Sequence, residues 1–182
     1  DHHYDAYLGY HAGSSGVATV DGVGSVWSKS DFSDFSVGYG GSGTLSVTNG
    51  GWVSNGDGFI GRCSGSTGLA TVDGAGSTWE NDRDLHVGYS GSGTLTITGG
   101  GSVNNDGGWI GYEFGSTGVA KVIGVGSTWA TATPASAGFR AEAPTPAGTT
   151  CVTSRRLPPE PTPSRSSTMG TRPSRTPKTR SP

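Results

Sequence analysis

GSSGVATVDGVGSVW, residues 13–27, returns as GSTGLATVDGAGSTW at 65–79 and as GSTGVAKVIGVGSTW at 115–129. Between these copies lie VGYGGSGTLSVTNGGWVSN (37–55) and VGYSGSGTLTITGGGSVNN (87–105). The closing tryptophans Trp27, Trp79 and Trp129 stand 52 and 50 residues apart. Self-similarity at a fixed period is the mark of a repeat architecture. Each long unit holds two related halves, which open on Leu8-Gly9-Tyr10, Val37-Gly38-Tyr39, Ile60-Gly61, Val87-Gly88-Tyr89 and Ile110-Gly111-Tyr112.

A strand period runs through every half. In Thr94-Leu95-Thr96-Ile97-Thr98 the aliphatics alternate with threonines, which sets Leu95 and Ile97 on one face. The same register pairs Leu45 with Val47, Ala18 with Val20, Ala70 with Val72 and Ala120 with Val122. Glycine-rich steps such as Asn49-Gly50-Gly51 and Asp73-Gly74 punctuate the strands and supply corners. No helical stripe of useful length is present. A short strand with one small apolar face cannot bury that face alone, whereas turns stacked about every 25 residues bury it continuously. The expected fold is therefore all-β, a parallel β-solenoid of about five coils starting near residues 8, 37, 60, 87 and 110. Leu45, Ala70 and Leu95 should pile in one column, and the three tryptophans should form a row of wall or core aromatics two coils apart.

Composition divides the 182 residues in two. Residues 1–133 hold 31 of the 34 glycines and no proline, with 4 Lys/Arg against 12 Asp/Glu. Residues 134–182 hold all 10 prolines, with 8 Lys/Arg against 2 Asp/Glu. The net charges are −8 and +6, and the overall −2 describes neither part. The expected domains are a repeat solenoid, 1–133, and a disordered basic tail, 134–182. A reading-frame slip is a second account of the tail, since regrouped codons over Ala135–Pro144 permit a further coil opening. The tail's cations are spread among prolines with one aromatic, Phe139, so nucleic acid is not an expected partner. Cys63 and Cys151 are too few for a disulfide framework, and an isolated thiol is expected. No stretch is long enough to span a bilayer. The chain opens at Asp1 in mid-repeat, so a missing N-terminus is expected.

The pattern IGY..GSTG.ATVDG.GSTW followed by L.VGYSGSGTLTIT.GGSV.N, over residues 5–129, resembles the repeat of large bacterial autotransporter (type V secretion) passengers and of PEP-CTERM-associated surface proteins. The resemblance implies a β-helical passenger, secreted or at the cell surface, with an outer-membrane translocator barrel or anchor elsewhere in the parent protein. It implies no particular ligand.

No catalytic, cofactor-binding or metal-binding residue is expected. His2, His3 and Asp5 suggest a metal cluster only at the start of the chain, where later repeats hold no histidine; His11 and His86 complete the histidines. Asn55-Gly56-Asp57-Gly58 and Asn104-Asn105-Asp106-Gly107 offer one carboxylate per corner, too few for calcium, and read as Asx turns. Asp31, Asp34, Asp82 and Asp84 read as a solvated acidic edge rather than a glycosidase pair. Ile123 stands where Asp21 and Asp73 stand in earlier copies, which makes that acid a corner residue. Outward Thr44, Thr48, Thr71, Thr94, Thr96 and Thr98 suggest a hydroxylated array of the ice-binding kind, interrupted by Leu69, Lys121 and Ile123. The expected function is a non-catalytic stalk, display scaffold or adhesive surface, whose partner is a host or environmental surface or a glycan met by weak multivalent contact. The alternatives are a polysaccharide-binding or polysaccharide-cleaving β-helix and a truncated remnant without function.

Overall fold

The structure, a computed structural model, describes residues 5–29 and 33–132. They form fifteen strands, three to a coil. The first coil comprises β1 (Ala6–Leu8), β2 (Ser15–Asp21) and β3 (Val26–Ser28), and the second β4 (Phe35–Val37), β5 (Ser42–Thr48) and β6 (Trp52–Asn55). The third holds β7 (Gly58–Ile60), β8 (Thr67–Asp73) and β9 (Thr78–Asn81), and the fourth β10 (Leu85–Val87), β11 (Ser92–Thr98) and β12 (Ser102–Asn105). The fifth closes with β13 (Gly108–Ile110), β14 (Thr117–Val122) and β15 (Thr128–Thr131). Equivalent strands pair in parallel into three five-stranded sheets, ordered β1-β4-β7-β10-β13, β2-β5-β8-β11-β14 and β3-β6-β9-β12-β15. This is the β-solenoid of about five coils that the repeat requires.

Register is kept residue for residue. Ala18, Leu45, Ala70, Leu95 and Ala120 are successive Cα partners, as are Val20, Val47, Val72, Ile97 and Val122. In the third sheet Trp27, Val53, Trp79, Val103 and Trp129 alternate along one column, which sets the tryptophans two coils apart. Trp79 is fully buried, and Trp27 and Trp129 pack against the core from the outer coils. Large and small residues also alternate in the first sheet, through Ala6, Phe35, Gly58, Leu85 and Gly108. That alternation sets a large side chain of one layer beside a small one of the next, as close packing favours. Burial follows position in the stack: Val47, Val72 and Ile97 are closed off, whereas Val122 in the last coil is 46% exposed. Each coil is sealed by its neighbours, as nearest-neighbour stability predicts.

The corner after the first sheet falls on Gly9, Gly38, Gly61, Gly88 and Gly111, with φ between +65° and +78°. The opposite corner carries the repeated aspartate. Asp21 Oδ1 accepts hydrogen bonds from Thr48 Oγ1 (2.6 Å) and Asn49 Nδ2 (2.8 Å), and Asp73 Oδ1 from Thr98 Oγ1 (2.7 Å). These contacts hold the Asp21 carboxyl below its ordinary pKa. The acid ties one coil to the next, which is the corner role expected of it.

Cys63 is buried and is not a free thiol, which corrects the expectation of an isolated one. Spacing along the chain says nothing about what a cysteine meets in space. Cys151, the tail from 134 and the frame-slip reading lie outside the described residues, as do His2, His3 and Asp31.

Candidate functional site

The outer surface of the first sheet is built from three columns. Just before each of its first four strands stands an acid: Asp5, Asp34, Asp57 and Asp84, with Gly107 in the last coil. The middle residues of the strands are Cα partners and face outward: Tyr7, Ser36, Phe59, His86 and Trp109. Beyond the corner glycines come Tyr10, Tyr39, Arg62, Tyr89 and Tyr112. A single residue per coil joins each column, because neighbours in the stack are 23–29 residues apart in sequence.

The rings stack within columns and meet edge to face between them. Phe59 and His86 are 5.0 Å apart and nearly coplanar (5°), and His86 and Trp109 are 6.2 Å apart at 9°. Tyr10 stacks on Tyr39 (5.1 Å) and Tyr89 on Tyr112 (5.0 Å), while His86 meets both Tyr89 and Tyr112 edge-on at 5.1 Å. Arg62 replaces a tyrosine in the third coil and supplies the missing layer. Its guanidinium lies over the Phe59 ring at 4.0 Å and the Tyr39 ring at 5.6 Å. It also donates to Asp34 Oδ2 (2.8 Å) and Ser36 Oγ (3.2 Å).

Between the columns of the last three coils runs a groove of about 490 Å³, walled by Phe59, His86, Tyr89, Trp109 and Tyr112 and by Tyr39 of the second coil. Asp57, Asp84, Arg62 and Ser90 supply its polar lining. Asp57 Oδ1 accepts from the Asp84 backbone N–H (3.1 Å), and Asp84 Oδ2 from Trp109 Nε1 (3.3 Å). Arg83 lies 3.8 Å from Asp57. Burial between aromatic rings pulls the His86 pKa down to about 4, although Asp84 and Asp57 oppose the shift. The imidazole is therefore neutral near pH 7. Its Nδ1 and the Ser90 Oγ are shielded from solvent and have no hydrogen-bond partner among the described residues. Desolvation also raises Asp34, against the pull of Arg62, and raises Tyr89.

Asp34 and Asp84 are thus not a solvated edge: the first is half-buried and ion-paired, and the second lines the groove. The correction comes from the stack, which brings the Arg62 guanidinium of the third coil to Asp34 and the Trp109 indole of the fifth to Asp84. Asn55 and Asn105 are not surface Asx turns either. Both are buried at strand ends, where Oδ1 of Asn55 accepts from Trp79 Nε1 (2.7 Å) and Oδ1 of Asn105 from Trp129 Nε1 (2.6 Å). His11 is exposed and touches Tyr10. On the second sheet Thr44 and Thr94 alternate with Val17, Leu69 and Val119 in one outer column, whereas Thr19, Ser46, Thr71 and Thr96 form a hydroxyl column that ends at Lys121. Among the described residues no group of three His, Cys, Asp or Glu is placed to hold a metal ion, and no helix is long and apolar enough to cross a membrane. Sequence reasoning missed the groove. Its signal was the residue two places before each opening glycine, aromatic in four of five coils once His86 is counted.

Three parallel sheets wound in register make this chain a parallel β-solenoid repeat protein. It matches no family model, no curated protein and no solved structure.

Proposed function

We propose that the repeat segment is a non-catalytic, rigid scaffold. It would form part of the passenger of a secreted or outer-membrane-anchored bacterial protein and act by weak, repeated contact with a host or environmental surface or a glycan. The observation behind this reading is the unbroken register over five coils. It sets the outward positions in columns along one axis, one side chain per coil, and linked weak contacts gain avidity without any new contact. The resemblance to autotransporter and PEP-CTERM-associated repeats supports the surface location, and the −8 charge of the repeat part favours solubility there.

Beads coated with the full chain at graded densities test it, under flow over polysaccharide-coated or cell-coated glass. Retention is expected to rise more steeply than the first power of density. Retention equal to that of uncoated beads on every surface overturns the reading.

Asp57 and Asp84 in one aromatic groove favour a second reading, a polysaccharide-cleaving β-helix, because paired carboxylates perform general acid–base and nucleophilic work on glycosidic bonds. New reducing ends released by the full chain, and lost in Asp84→Asn, would put this reading first.

A further inference from the structure

The groove of the last three coils has a chemistry that narrows its ligand. Stacking within the columns turns ring faces toward their neighbours, as in the Phe59–His86–Trp109 and Tyr89–Tyr112 stacks. Ring edges and phenol hydroxyls are left as the outward surface. Ring edges carry the positive end of the aromatic quadrupole and suit oxygen lone pairs. The two carboxylates alongside, Asp57 and Asp84, suit hydroxyl donors, in the stronger, charge-assisted kind of hydrogen bond. A ligand satisfying both carries many groups that donate and accept at once.

An organic cation fits less well. It needs an open ring face, and the Arg62 guanidinium already covers Phe59 and Tyr39. An acidic ligand meets two carboxylates, while the arginines beside them are held by Asp34 and Asp57. What remains is a neutral polyhydroxylated molecule. The coils are stacked at the spacing of adjacent strands, about 4.8 Å, so an extended sugar chain lying along the axis meets a new member of each column at each step.

We propose that the groove lined by Phe59, His86, Trp109, Tyr89, Tyr112 and the Asp57/Asp84 carboxylates is a binding site for a neutral polysaccharide. The chain runs along the solenoid axis, sugar hydroxyls donate to Asp57 and Asp84, and sugar oxygens meet the ring edges of Trp109 and Tyr112. This deepens the adhesive reading above by giving its ligand a chemical class.

Affinity electrophoresis of the full chain tests it, in gels containing neutral β-glucan, mannan, galactan or xylan, with polygalacturonate and hyaluronate as acidic counterparts. At least one neutral polymer is expected to retard the protein, and neither acidic polymer to do so. Trp109→Ala with Tyr112→Ala should abolish retardation, and Asp84→Asn should weaken it about tenfold, the size of one charge-assisted hydrogen bond. Far-UV circular dichroism checks that each variant keeps its strands. No retardation by any neutral polymer, retardation by an acidic polymer alone, or unchanged retardation in the folded double variant overturns the site. Absence of retardation in the unaltered chain, with bead retention intact, rejects the groove and leaves the scaffold standing. Retardation without bead retention does the reverse.

Discussion

The indole N–H of Trp79 donates to Oδ1 of Asn55 at 2.7 Å, across one coil boundary and in the interior of the solenoid. Asn55 in turn donates through Nδ2 to Oδ1 of Asn81 in the same coil as Trp79 (2.9 Å). A fully buried tryptophan is tolerable in this column because its one polar atom is satisfied by the layer below.

Asn55→Ala is therefore expected to cost about 2–3 kcal/mol, since it strands both the Trp79 donor and the Asn81 acceptor away from water. Asn105→Ala breaks the matching bond to Trp129 in the last coil, where the indole is only partly buried, and should cost roughly half as much. Urea unfolding midpoints decide the matter, and equal losses at the two positions would contradict the burial argument.

Gly88 and Gly65 both hold positive φ (+75° and +79°) but differ in what a side chain meets. A Cβ on Gly88 would collide with the Thr117 carbonyl of the next coil, whereas one on Gly65 meets nothing within 4 Å. Gly65→Ala should cost about 1–2 kcal/mol, the strain of left-handed backbone alone. Gly88→Ala should cost at least about 2 kcal/mol more, because the fourth and fifth coils must also move apart. Thermal unfolding of the two variants side by side reads the difference.

His86 makes stability depend on pH. Its folded pKa, near 4, lies below the ordinary 6.5, so the unfolded chain binds the proton more readily. The full contribution is present above pH 6.5. It is lost as pH falls from 6.5 toward 4, and below 4 it changes no further. The expected loss is on the order of 3 kcal/mol. His86→Phe keeps a ring in the stack and removes the titration, so the gap between this variant and the wild type should move in the variant's favour between pH 7.5 and pH 4. A gap that stays constant over that range rules out a desolvated histidine.

Arg62 and Asp34 should be coupled. Removing the guanidinium leaves the half-buried Asp34 carboxyl without its cation and uncovers the Phe59 ring. A double-mutant cycle with Arg62→Ala and Asp34→Ala should give an interaction of about 1 kcal/mol, kept modest because both side chains remain about a quarter exposed. Additive losses in the cycle would show that the pair is incidental.

Most of the architecture was legible in the chain. Alternation in Thr94–Thr98 fixed which residues point inward, and the 52- and 50-residue spacing of Trp27, Trp79 and Trp129 fixed the two-coil period. Leu45, Ala70 and Leu95 do pile in one column. The site was less legible. Asp34 and Asp84 read as solvated because they stand on the stretch whose length varies most between copies, and His86 read as one histidine among four. Phe59, His86 and Trp109 lie 27 and 23 residues apart, and nothing within any one coil shows that they share a wall.

The sequence by itself determined the winding, because period, strand alternation and corner glycines are local properties that each repeat states again. Only the tertiary structure decided the aromatic groove and the desolvation of His86. These arise from contacts between coils, where each residue's surroundings are set by the layers above and below it.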